Sequence, residues 1–162
     1  MSMTSLQDLF THHMKDIYYA EKKLLKALPK MAKKASEPRL RSAFEEHVQQ
    51  TEEHVRRLEQ VFEQMGEKAK SEKCEAIDGI VKEGDDLMSE AKGGEALDAG
   101  LIAAAQAAEH YEIARYGTLA AWARMLDMPE AQKILHKTLE EERQTDEKLT
   151  GLAMEQVNRK AA

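Results

Sequence analysis

Apolar positions, with His13 among them, recur at the 3.6-residue helical period through Leu6, Phe10, His13, Ile17, Leu24, Leu28, Met31 and Ala35. The pattern predicts one long helix from about Thr4 to Ala35, with Pro29 as a candidate kink. Ser36-Glu37-Pro38 then offers a capping side chain and a proline near a first helical position. A second helix is predicted through Leu40, Phe44, Val48, Thr51, Val55, Leu58, Phe62 and Met65, ending at Gly66, so the first two helices form a tight hairpin.

After Gly66 the periodicity weakens, and Ile77, Ile80, Val81, Leu87 and Met88 predict a shorter amphipathic helix that ends by Gly93-Gly94. Leu97, Leu101, Ala105, Ala108, Tyr116, Leu119, Ala123 and Leu126 mark a third long helix. Asp127-Met128-Pro129 turns the chain into a fourth, through Ile134, Leu135, Leu139, Leu149, Leu152 and Val157. Two connections are short and one is long enough to run the roughly 45 Å back along a 30-residue helix. Two antiparallel hairpins joined by one long crossover is the ferritin-like arrangement of a four-helix bundle. The predicted fold is therefore all-α and ferritin-like, a single domain over residues 1–162 with a short fifth helix in the crossover.

Composition narrows the function classes. Against 30 Asp and Glu stand 24 Lys and Arg, a net charge of −6 that disfavours binding to nucleic acid or to anionic membrane surfaces. No run of apolar residues is long enough for a membrane span, and the N-terminus lacks the basic and apolar regions of a secretory signal, so a cytoplasmic protein is expected. Cys74 is the single cysteine, which excludes an internal disulfide and any cysteine-rich metal site and leaves an incidental thiol as its expected role.

Charged residues interrupt the apolar stripes at one level of the predicted bundle. Glu21 falls between Ile17 and Leu24, Glu109 and Glu112 between Ala105 and Tyr116, and Glu142 between Leu139 and Leu149, while His47, Gln50 and His54 run along the edge of the second stripe. Converging carboxylates repel one another unless protons or cations are present, and an oxygen-rich set with imidazole suits Fe or Mn. Such a layer is either a metal site or a structural polar layer. Tyr18 and Tyr116 lie one turn from these glutamates and are candidates to hydrogen-bond them. His12, His13, His110 and His136 have no pair of carboxylates at ligand spacing and are read as solvated or capping histidines.

The segments Tyr19-Ala20-Glu21-Lys22-Lys23, His47-Val48-Gln49-Gln50-Thr51, Ala108-Glu109-His110-Tyr111-Glu112-Ile113-Ala114 with Tyr116, and Leu139-Glu140-Glu141-Glu142-Arg143 resemble those of the bacterial YciF-type (YciE/YciF) stress-associated proteins, a branch of the ferritin-like superfamily. The resemblance covers almost the whole chain. It implies a homodimeric four-helix bundle with a rubrerythrin-like di-metal position, linked to stress responses and without a firmly assigned activity. By the same resemblance Glu21, Glu109, Glu112 and Glu142 are metal ligands, with His47 and Gln50 beside them. Two positions depart from the pattern: the second helix reads His47-x-x-Gln50, with an amide in place of a glutamate, and the fourth long helix reads Glu142-x-x-Thr145 followed by Asp146, without a histidine. The expected function is a di-metal Fe or Mn protein with weak ferroxidase or peroxidase activity. Its rival is a non-catalytic homodimeric bundle with a vestigial site, acting through a protein partner.

Overall fold

The structure is a computed structural model and describes residues 3–162. Helix α1 spans Leu6–Lys34 and starts from a reciprocal cap: the Ser5 hydroxyl accepts from the Asp8 amide at 3.1 Å, and the Asp8 carboxylate accepts from the Ser5 amide at 2.9 Å. The helix continues through Pro29 without ending. Helix α2, Pro38–Gln64, begins with proline in its first turn, where no intrahelical N–H is required. It closes on Gly66 in the left-handed region at φ 71°, with the Glu67 amide donating back to the Phe62 carbonyl, the helix end that glycine favours.

The crossover carries α3, Glu75–Glu90, followed by α4, Glu95–Met125, and α5, Pro129–Leu152. Asp98 near the start of α4 is buried, and its carboxylate accepts from the Ser36 amide at 2.8 Å and the Glu37 amide at 2.9 Å. The start of α4 is thereby tied to the α1–α2 turn, so the chain returns the full length of the bundle between α2 and α4. Helix α3 lies along α1 in the same direction: Asp78 accepts from the Tyr19 hydroxyl at 2.9 Å and pairs with Lys23, and Asp85 faces Lys30 one level further on. Among the described residues no helix is long and apolar enough to cross a membrane. The result is the expected pair of antiparallel hairpins with a helical crossover.

Two sequence expectations shift. Along α2 the buried positions include Leu40, Phe44, His47, Thr51, His54, Leu58, Val61 and Phe62, whereas Val48 and Val55 are only half-buried. The two valines pulled the predicted stripe sideways, and the histidines placed at its edge sit at its centre. The fourth helix is also not uniform to Val157, because α5 passes at Ala153–Val157 into a π-helical turn before the short α6, Asn158–Ala161. The wider turn lets both Ala153 and Val157 face the core.

Candidate metal centre

At mid-height each long helix contributes buried polar side chains: Glu21 from α1, His47 and His54 from α2, Glu109 and Glu112 from α4, and Glu142 from α5, none more than 3% exposed. They fall into two groups whose candidate ligand atoms lie within 4.8 Å of one another. One holds His47, Glu109, Glu112 and Glu142; the other holds Glu21, His54 and Glu142. Glu142 belongs to both. His47 Nε2 is 2.8 Å from Glu109 Oε1 and 3.7 Å from Glu142 Oε2, and His54 Nδ1 is 3.0 Å from Glu142 Oε1 and 3.4 Å from Glu21 Oε1.

Buried polar atoms are normally hydrogen-bonded. Here Glu21 Oε2, His47 Nε2, His54 Nδ1, Glu109 Oε2 and both oxygens of Glu112 and Glu142 have no hydrogen-bond partner. Such inward-turned atoms are what a cation would take up. Without one, protons must relieve the layer. Burial, with the charges of Glu142, Glu21 and Glu109, holds Glu112 well above the usual carboxylate range. Burial and Glu142 push Glu109 up to about 8 against the pull of His47. Burial disfavours charge on the imidazoles, yet Glu109 and Glu142 raise His47 to about 9, and Glu21 and Glu142 raise His54 to about 11. Glu142 moves the other way: burial notwithstanding, His54 and His47 hold it below its ordinary value.

A second ring of residues fixes these groups. His54 Nε2 faces Glu141 at 2.9 Å, leaving Nδ1 for the layer, and Glu141 is itself gripped by both terminal nitrogens of Arg57 at 2.7 and 3.0 Å. The Tyr116 hydroxyl donates to Glu21. Gln50 stands behind His47: its carbonyl oxygen lies 3.2 Å from Nδ1, on the far side of the ring from Glu109, and also accepts from the Thr145 hydroxyl at 3.3 Å. Tyr18 turns away to Glu59, and Asp146 is engaged by Gln106 and His110.

The position expected of Gln50 is taken by Thr51, which is fully buried with an unpartnered hydroxyl. Ferritin-like di-metal sites draw a Glu from each of two helices and a Glu-x-x-His pair from each of the other two. This chain has Thr51-x-x-His54 on α2 and Glu142-x-x-Thr145 on α5, so each pair keeps one half. Glu109 and His47 supply the missing carboxylate and imidazole from other positions. The layer therefore keeps four carboxylates and two imidazoles. The histidine absent from α5 is replaced from α2, and the signal was in the sequence: His47 and His54 are seven residues apart, two turns along one face.

The family described as a domain of unknown function, DUF892, matches residues 5–162. Protein YciF of Escherichia coli (strain K12) is 45% identical over 162 residues, covering 99% of this chain and 98% of that protein. The chain belongs to the YciF-type family. The crystal structure of the E. coli stress protein YciF superposes with a TM-score of 0.91 at 43% identity, covering 97% of this chain and 99% of that one. YcfI of Rhodopseudomonas palustris gives 0.90 at 42% identity, covering 92% and 95%. A two-domain protein of Anabaena variabilis with DJ-1/ThiJ/PfpI-like and ferritin-like domains matches at a TM-score of 0.67 and 19% identity, covering 96% of this chain and 38% of that one. That last likeness shows the ferritin-like fold alone. This YciF-type chain thus combines a ferritin-like bundle with buried carboxylate and histidine clusters.

Proposed function

We propose that this YciF-type protein is a homodimeric, cytoplasmic di-metal carboxylate protein of the stress response, holding Fe or Mn with Glu21 and His54 on one side of Glu142 and His47, Glu109 and Glu112 on the other. The observation that carries the reading is the shared Glu142, whose two oxygens are unpartnered and face one imidazole each. Oxygen-rich sets with one imidazole per position suit iron and manganese. When bound, either metal would supply redox chemistry for Fe(II) oxidation or peroxide reduction.

The chain's own groups would orient, shield and manage protons. Tyr116 holds Glu21, Glu141 with Arg57 fixes the tautomer of His54, and Gln50 does the same for His47. Glu109 and Glu112, protonated in the empty layer, would release protons on loading, with His47 and His54 giving up theirs as well. An apolar cavity of about 30 Å³, lined by Leu24, Leu28, Met31, Ile80, Met88 and Ala105, touches His47 and Glu109. It is large enough for one or two molecules the size of water or peroxide. Loading with Fe(II) or Mn(II) without oxygen, followed by elemental analysis, tests the reading. About two metals per chain support it, and less than about a tenth of a metal would sink it.

One observation favours the non-catalytic alternative: the imidazoles and carboxylates of the layer face each other closely enough to neutralise one another with protons alone. In that reading the bundle acts through a protein partner, and metal loading fails while the fold stays intact.

A further inference from the structure

Apart from atoms of the central layer and Thr51 Oγ1 beside it, two buried side-chain atoms without hydrogen-bond partners stand out among the described residues, His13 Nδ1 and Arg115 Nε. His13 belongs to a second cluster toward the start of α1. Its Nδ1 lies 3.6 Å from Asp16 Oδ2, and His12 Nε2 lies 3.5 Å from the same oxygen. The candidate ligand atoms of the three residues all fall within 4.8 Å of one another. Beyond the solvated or capping role expected of His12 and His13, residues i, i+1 and i+4 of one helix bring their polar atoms together here.

The spacing also matches that between neighbouring ligands of a small cation. Neutral or charged N–H···O bonds close to 2.7–3.2 Å, whereas a tetrahedral zinc ion with bonds of 2.0–2.1 Å separates neighbouring ligand atoms by about 3.3 Å. Asp16 is buried at 8% exposure, and within 4 Å no lysine or arginine faces its carboxylate among the described residues. His12 presents its other nitrogen, Nδ1, to Glu72 Oε2 at 3.6 Å, the carboxylate–histidine arrangement that commonly stands behind a metal ligand. The Glu72 amide donates to the Lys15 carbonyl at 3.3 Å, which holds this crossover residue against α1. Trp122 stacks on the His13 ring with centroids 5.3 Å apart and planes at 26°, fixing its orientation.

We propose that His12, His13 and Asp16 form a mononuclear site for a borderline divalent cation of the zinc class, with Glu72 orienting His12 and an open fourth position. Two imidazoles and one carboxylate distinguish it from the carboxylate-rich centre. Glu21 is five residues beyond Asp16, so the two sites are separated by about 7.5 Å along α1. A cation here would tie the first residues of the crossover to α1 through Glu72.

Trp122 is the only tryptophan in the chain and reports on this site directly. Titrating the full-length protein with Co(II), a spectroscopic substitute for Zn(II), is expected to quench Trp122 emission with one ion per site, to give a tetrahedral visible band, and to be reversed by Zn(II). His13→Gln and Asp16→Asn should each weaken the quenching midpoint at least about tenfold, Glu72→Gln by about tenfold, and Glu112→Gln not at all. If Asp16→Asn does not fold, His12→Gln, whose side chain is one-third exposed, carries the same expectation. Unquenched Trp122 at millimolar Co(II), a midpoint unchanged in His13→Gln, or loss of quenching in Glu112→Gln would each overturn the proposal.

Discussion

Gln50 and Glu112 show how much turns on which way one side chain points. Gln50 stands behind His47, outside the converging carboxylates, so Gln50→Glu would place a negative charge against a positively charged imidazole. The metal-free protein should be stabilised by about 1 kcal/mol, visible as a rise in Tm of several degrees. A fall in Tm would place residue 50 within the repelling layer. Gln50→Ala removes the hydrogen bond that orients His47 and should weaken Mn(II) binding by about tenfold, measured by calorimetry, with little change in metal-free stability. Glu112→Gln should act in opposite directions on the two states. It relieves a fully buried carboxylate held far above its ordinary pKa, stabilising the metal-free bundle by about 2 kcal/mol, and it weakens metal binding, both read from thermal melts with and without Mn(II). The carboxylates of this layer were legible because charge interrupting an apolar stripe at one level is unusual. Thr51 was not, since a small β-branched residue in a helical stripe reads as packing, and only the packed bundle shows its hydroxyl unpartnered.

Helix boundaries were legible where local chemistry sets them: Ser5 and Asp8 cap α1, Pro38 opens α2, and Gly66 closes it. The face of α2 was less so, because a 100° step per residue lets two valines shift an apparent stripe by one position when histidines, rather than aliphatic residues, occupy its centre. The π-helical turn after Leu152 had no sequence signal, since it depends on Ala153 and Val157 both reaching the core. The α1 cap makes a pH prediction. Hydrogen bonds from the Thr4 amide, the Ser5 hydroxyl partnership and the Ser5 amide hold Asp8 below its ordinary value of 3.8. A carboxylate with a depressed folded pKa adds stability above that value and loses it as pH falls through the folded pKa. Asp8→Asn should therefore lower Tm at pH 7, and the difference from the parent should close as the pH falls through the lowered pKa of Asp8. A difference that persists in acid would mean the cap acts through packing rather than charge.

For the whole molecule, the buried layer couples folding, protons and metal. Raised folded pKa values mean that the metal-free protein holds protons the unfolded chain has released. The contribution of His47 is complete below 6.5 and lost as pH rises through about 9; that of Glu109 is complete below 4.5 and lost as pH rises through about 8. The metal-free Tm should therefore decline between about pH 7 and 9, while metal affinity increases over the same interval because fewer protons compete, so the loaded protein should not show the decline. Melts across that range with chelator and with Mn(II) check both signs. The bundle topology was readable from loop lengths alone, whereas pairing of the two imidazoles with a single glutamate needed the packed helices. The central claim is that Glu142 is shared by two metal positions, and anomalous scattering from crystals of Mn(II)-loaded protein tests it most directly. Two peaks per chain, one beside His54 and Glu21 and one beside His47 and Glu109 with Glu142 between them, are predicted; a fully loaded crystal with no peak at Glu142 would contradict the account.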